Sequence, residues 1–222
     1  MHCFQIFFTR DVVLRFTPIR SLHMANGRGD NVGELIRCPW ANRSDLEREY
    51  HDKEWGIPLH EERRLFEMLI LEGHQAGLSW STILRKRYHY HRAYDGFDAE
   101  LMANYGSEKV ISLLSDAGIV RNRRKIQSAV ENARAYLNMR EVGLSLDQFL
   151  WGYVDGTPVE NYWDDFSRIP ATTPLSDKIS KDLKKRGFSF VGSTIIYAYL
   201  QSTGVVDDHL STCFIRTDKR SD

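Results

Sequence analysis

Residues 178–204 read KISKDLKKRGFSFVGSTIIYAYLQSTG, and the fold class turns on four of them, FSFV at 188–191. These four alternate as a strand does, and no other stretch of the chain alternates as clearly. They are also short, flanked by Gly187 and Gly192, and set between two helical patterns. The stretch is therefore expected to be the turn of a hairpin joining two helices, not a sheet strand. Ser176 and Asp177 supply an N-cap and a first-turn acid for the first helix, which runs through Arg186 and is closed by Gly187. The second helix is expected to start near Val191.

Outward from this hairpin the periodicity stays helical. Between 61 and 72, Leu65, Phe66, Met68 and Leu69 fill one broad apolar face. After Ser107, apolar Val110, Leu113, Leu114 and Ala117 recur at helical spacing, and Gly118 is placed to end that helix in a left-handed conformation. From Arg121 to Met139, Ile126, Val130, Ala133 and Leu137 share one stripe. There is no internal repeat and no low-complexity tract. The expected class is all-α.

The 222 residues are 42% hydrophobic, enough to bury a core in one domain or two closely packed lobes. Lys plus Arg and Asp plus Glu number 30 each, so overall charge identifies no partner and any nucleic-acid contact must be local. Cationic clusters occur at Arg85–Arg87, at Arg121 with Arg123, Arg124 and Lys125, and at Lys184–Arg186, although such clusters are more often solvated helix faces. Three cysteines without framework spacing favour a reducing compartment, and no run of 18 apolar residues calls for a membrane span. Residues 1–35 stand apart, with Arg10, Arg15 and Arg20 against one acid, Asp11. That charge pattern belongs to residues 1–23, and 1–35 as a whole are expected to be a poorly ordered extension before a globular domain at 36–216 and a tail at 217–222. A targeting segment and an alternative start at Met24 both fit. A cytoplasmic location is expected, with organelle targeting left open.

Cys38 and His51 lie near the start of the globular part, and His209 and Cys213 lie near its end, in DDHLSTC. If that end is helical, the i, i+4 pair projects from one face. Two sulfurs and two imidazoles suit tetrahedral zinc with no open position, hence a structural site clipping the two ends together. The other reading is a pair of ordinary buried thiols with unrelated histidines. The hairpin likewise admits two readings. Gly187 and Gly192 permit positive φ, a helix N-terminus follows, and Lys184, Lys185 and Arg186 stand beside it, a combination suited to gripping phosphate. It also suits a hairpin that only packs.

The stretch LEGHQAGLSW at 71–80 poses the sharpest question, because Glu72 sits inside an otherwise apolar segment. It is either a surface glutamate at the end of a stripe or a carboxylate awaiting something that arrives later. Trp40, Tyr50 and Trp80 are, by themselves, equally readable as core.

Together, CPW (38–40), YHDKEWGIP (50–58), LFEMLILEGHQAGLSWSTIL (65–84), DAGIVRNRRKIQSAVENARAYL (116–137), LKKRGFSFVGSTI (183–195) and DDHLSTC (207–213) resemble the constitutive 3-methyladenine DNA glycosylase I family, of the helix-hairpin-helix glycosylase superfamily. The resemblance spans roughly 38–216. It implies two closely packed helical lobes and a structural Zn2+ held by Cys38, His51, His209 and Cys213. It assigns Glu72 to recognition of the damaged base and Trp40, Tyr50 and Trp80 to the walls of the same pocket. The chain departs from the family at His74 and at Glu47, where an aromatic is usual.

The implied activity is monofunctional excision of 3-methyladenine from alkylated double-stranded DNA by a monomer, with Lys185, Arg186, Gly187 and Gly192 on the phosphates. No lysine follows the hairpin until Lys219, so no Schiff-base nucleophile is placed there. Glu72 is expected to be ionised, since neutral adenine presents a ring-nitrogen acceptor where the carboxylate needs a donor. The family licenses no general base, and Asp207 is at most a residue orienting water. The rival classes are a zinc-clipped DNA-binding module without activity and a zinc hydrolase with three protein ligands and a water.

Overall fold

A computed structural model describes residues 35–218. The extension expected over 1–35 and the tail over 217–222 fall almost wholly outside that span. The chain enters through a short 3-10 turn, Pro39–Arg43, into α1 (Asp45–Lys53), then α2 (Glu62–Gln75), α3 (Trp80–Ala93), α4 (Ala99–Ala103), α5 (Ser107–Ser115), α6 (Arg123–Glu141) and α7 (Leu146–Trp151). A long connection carries β1 (Val159–Glu160). The hairpin α8 (Pro174–Lys185) and α9 (Ser193–Ser202) follows, then β2 (Val206–Asp207) and α10 (Phe214–Asp218). The fold is mostly helical, as expected.

α2 is the hub. Ten consecutive residues, Leu65 to His74, are buried, so the helix is enclosed on its whole circumference and not on one face. It packs against α3, α6, α7 and α9. Tyr199 of α9 donates to the Leu65 carbonyl at 2.9 Å, and buried Lys125 of α6 donates to the carbonyls of His74 and Ala76 at 2.8 and 2.6 Å. That lysine closes the C-terminal end of α2 with positive charge, where the helix dipole favours it. His74 is locked between Tyr90 Oη at 3.1 Å and the Lys125 carbonyl at 2.8 Å, and burial pushes its pKa down to about 4. The departure at position 74 thus fills a core position. The two expected lobes are not separable, since the described residues form one compact unit.

Several helix ends differ from expectation. The cap of α8 is Thr173, in a reciprocal capping box with Ser176, so Ser176 stands three residues inside the helix. α5 stops at Ser115, and Gly118 is not left-handed. A Cβ there would come within 2.8 Å of the His89 side chain, so this glycine serves close packing. FSFV is a turn, with Phe190 at φ 53° and Gly187 at φ 91°. Its alternation arises because Phe188 and Val191 enter the core, while the side-chain amide of Asn132 holds Ser189 by both N–H (2.7 Å) and carbonyl (3.0 Å). The sequence reading missed a two-residue parallel ladder between β1 and β2, which leaves too few residues to alternate. Among the described residues, no helix is long and apolar enough to cross a membrane.

Candidate active site

A cavity of about 470 Å³ opens between α1, α2, the start of α3 and α9, within the size range of small-molecule clefts. Trp40 reaches it from the 3-10 turn, Tyr50 from α1, Glu72 from α2 and Trp80 from the first turn of α3. All four residues singled out as a base pocket therefore line one space. The Trp40 and Tyr50 rings lie 6.2 Å apart and the Tyr50 and Trp80 rings 5.3 Å apart. Ser79 fixes the entry of α3 by capping the Thr82 N–H at 3.3 Å, which seats Trp80 at the cavity wall.

The sequence reading did not single out the wall formed by α9. Thr194, Tyr197, Ala198 and Gln201 line it from α9 at helical spacing, so one face of the second hairpin helix belongs to the cavity. Their i, i+3, i+4, i+7 pattern was visible, but it looks identical to a core stripe. Arg43, Trp55, Gln75, Phe166 and Ile169–Ala171 also line it, and Glu47 joins it with its carboxylate taking a 3.0 Å bond from Ser44 Oγ.

Glu72 is 4% exposed, and burial pushes its pKa up to about 8, with only the Ser202 hydroxyl drawing it back. Its neighbour on the same helix, buried Glu67, meets the Arg87 guanidinium at 2.7 Å. Glu72 meets rings. Nearby, the buried Tyr50 hydroxyl and Trp80 indole N–H have no hydrogen-bond partner. Buried polar groups are ordinarily satisfied, so these two, beside Glu72 on a single cavity, mark a place for a ligand with its own donors and acceptors. The ionised Glu72 that recognition calls for is opposed by burial, and a cation beside the carboxyl would favour it.

At the chain ends, ligand atoms of Cys38, His51 and Cys213 lie within 4.8 Å of one another, all buried. His209 lies outside that trio, yet its ring is 5.0 Å from that of His51. Each imidazole turns Nδ1 to an aspartate, His51 to Asp52 at 2.8 Å and His209 to Asp207 at 2.7 Å. This leaves both Nε2 atoms for the cluster, and that of His209 is buried without a partner. An orphaned imidazole nitrogen beside two thiols fits a sulfur- and nitrogen-seeking metal, and the aspartates are the outer-shell partners such ligands use. The hydrogen bond between the thiols pushes Cys213 down and Cys38 up. His209 and Cys213 are not an i, i+4 helical pair. Their segment is a turn that begins after β2, and α10 starts only at Phe214. Phe214 N–H donates to the Ile36 carbonyl at 2.8 Å and ties the two ends. Asp207 accepts from the His209 N–H and ring and pairs with Arg216 at 3.3 Å.

At the hairpin, Lys185 and Arg186 are exposed but engaged, Lys185 with Asp182 at 3.1 Å and Arg186 over the Phe149 ring at 5.4 Å. Gly192 caps α9 at φ −63° and so does not use a left-handed conformation, whereas Gly187 does. The N–H groups of Gly192, Ser193 and Thr194 find no acceptor among the described residues. Beside them a groove of about 540 Å³ is lined by Lys181, Lys184 and Lys185 with Asp177, Ser180 and Ser193.

The sequence model of the family described as methyladenine glycosylase matches residues 40–216. The chain is 46% identical over 179 residues to DNA-3-methyladenine glycosylase 1 of Escherichia coli, covering 81% of this chain and 96% of the relative. It matches a crystal structure of 3-methyladenine DNA glycosylase I at 47% identity with a TM-score of 0.79, over 81% of this chain and 98% of that one. It also matches a point variant of such an enzyme in complex with 3-methyladenine, at 33% identity with a TM-score of 0.78, over 81% of this chain and 97% of that one. This chain belongs to the methyladenine glycosylase family.

Proposed function

We propose that this chain is a monofunctional DNA repair glycosylase of helix-hairpin-helix type that excises 3-methyladenine from alkylated double-stranded DNA as a monomer. The observation that carries the proposal is Glu72, a carboxyl buried without a protein cation and faced by Trp40, Tyr50 and Trp80.

Methylation at N3 makes the base a cation. Electron-rich rings attract it by about 0.5–2 kcal/mol per good contact, and the Glu72 carboxylate takes hydrogen bonds from its donor edge, each contributing roughly 1.5–3 kcal/mol. The arriving charge lowers the pKa of Glu72, so its proton leaves as the base binds. Unmodified adenine brings no charge and cannot repay that deprotonation.

The lesion must leave the helical stack, which costs a few kcal/mol and less for a damaged pair. The free amides at the start of α9 and the lysine groove suit a grip on the phosphates while this happens. The N9–C1′ bond then breaks, water adds to C1′, and neutral 3-methyladenine, an abasic sugar and a proton are released. The base is already a good leaving group, so little acid catalysis is required.

Cys38, His51, His209 and Cys213 would hold zinc, which supplies cross-linking of the chain ends. All four are buried, and four protein ligands would leave no open position for a reacting water, which disfavours the zinc-hydrolase reading. Metal analysis of the purified protein should return one zinc per chain, and Cys213→Ser should lose it. A metal-free, fully stable wild type would overturn the clip.

Incubation with methylated DNA should release free 3-methyladenine from the wild type. Failure to do so rejects the enzyme and favours a DNA-binding module. Release by Glu72→Gln at the wild-type rate rejects the role of Glu72.

A further inference from the structure

One carboxylate next to the clip serves the cavity instead. Asp208 is fully buried and receives four donors: Asn161 Nδ2 at 2.7 Å, Trp163 Nε1 at 2.7 Å, Tyr197 Oη at 2.5 Å and Gln201 Nε2 at 2.6 Å. Two of them, Tyr197 and Gln201, stand on the α9 face that lines the cavity.

The chemistry of the donors fixes what they show to the other side. A carboxylate met by four donors acts as an acceptor, so the amide of Gln201 must present nitrogen to it. The opposite end of that amide, Oε1, has no donor among the described residues and is an acceptor by elimination. Tyr197 has likewise committed its one hydroxyl proton to Asp208 and keeps only lone pairs. Held this way, α9 offers acceptors to the cavity that Glu72 also lines.

We propose that Gln201 is a specificity-determining residue whose Oε1 accepts an N–H of the exocyclic amine of the extruded purine, and that Asp208 is the positioning residue holding its amide this way round. The proposal rests on the base-binding reading above. An exocyclic amine carries two N–H groups diverging in the ring plane, so two acceptors lining one cavity, Glu72 from α2 and Gln201 from α9, can take one each. A purine with an oxo group at that position would set oxygen against oxygen at Gln201 and be rejected.

The test is calorimetric titration of the full chain with free 3-methyladenine and with 3-methylhypoxanthine, which replaces the amine by an oxo group in the same shape. The wild type is expected to prefer the amine. Gln201→Met, similar in shape but without the acceptor, should bind 3-methyladenine about five- to tenfold more weakly and lose most of the preference, and Gln201→Glu should restore it. Asp208→Asn lets the Gln201 amide turn over, and should shrink the preference for the amine even where the melting temperature falls, with bound zinc at the wild-type value. A wild type that binds 3-methyladenine without preferring it, or Gln201→Met with the full preference, overturns this proposal and leaves the base pocket standing. An Asp208→Asn protein with the full preference overturns the positioning role. A wild type that binds neither base overturns both readings.

Discussion

Glu67 and Glu72 lie five residues apart on one helix, both buried, and the chain treats them in opposite ways. Glu67 belongs to a network in which Arg87 reaches it at 2.7 Å and reaches Glu54 at 2.8 Å, binding the end of α1, α2 and α3 together. Glu72, one and a half turns later, has aromatic rings and a hydroxyl for neighbours, and desolvation goes unopposed by any positive charge. The first glutamate completes the fold. The second leaves the fold incomplete, and the missing part has the charge of the proposed substrate. A buried carboxylate by itself signals neither role; what decides is whether the protein brings its own cation.

The largest expected effect tests the satisfied side. Arg87→Met strands buried Glu67, leaves Glu54 with Arg64 alone, and should lower unfolding free energy by about 3 kcal/mol in denaturant titrations, as when one partner of a buried pair is removed. Stability within about 0.5 kcal/mol of wild type would show that the network contributes nothing measurable.

Glu72→Gln sharpens the unsatisfied side. It should slow 3-methyladenine release by roughly 10- to 100-fold, the loss of one charge-assisted bond, and should cost no stability. A matching drop in stability would mean that Glu72 is structural after all.

The third effect is a pH dependence whose sign follows from the raised pKa of Glu72. The folded chain keeps a proton that the unfolded chain gives up above the ordinary carboxyl value of 4.5. The stabilisation from this group is therefore complete below 4.5 and is lost as pH rises toward about 8, at up to about 1.4 kcal/mol per pH unit. Urea titrations at pH 6 and 8 should show a steeper decline in wild type than in Glu72→Gln. Parallel declines would remove the buried proton. Affinity for the cationic lesion should run the other way, rising about tenfold per unit up to that pH.

The smallest effect concerns the rings. Trp80→Leu keeps apolar bulk but removes the electron-rich face, and should weaken binding of methylated DNA by about 1 kcal/mol. Stability should hold within about 0.5 kcal/mol, and an unchanged affinity would assign Trp80 to packing.

The residues themselves reveal these regions unevenly. Helical spacing identifies α2, α6 and the hairpin because each repeats its apolar contacts over several turns. The burial of α2 on all sides does not appear in the spacing, since Glu67 looks exposed until Arg87 arrives from twenty positions away. The clip ligands are legible as residue types, but the geometry expected for His209 and Cys213 is not, because a turn and not a helix brings them in. Asp208 is the least legible, being the carboxylate beside a presumed ligand. Its four donors come from β1's connection and from α9, and only the folded chain gathers them.

α9 carries the free amides at one end and the cavity face along its side, so the proposed phosphate grip and base seat would be parts of one rod. From Ser193 to Gln201 that rod measures about 12 Å at 1.5 Å per residue, and no hinge lies between. The distance a nucleotide travels out of the duplex is then set like a fixed gauge. One residue inserted mid-helix would swing Gln201 by about 100° around the axis and leave the anchor where it was.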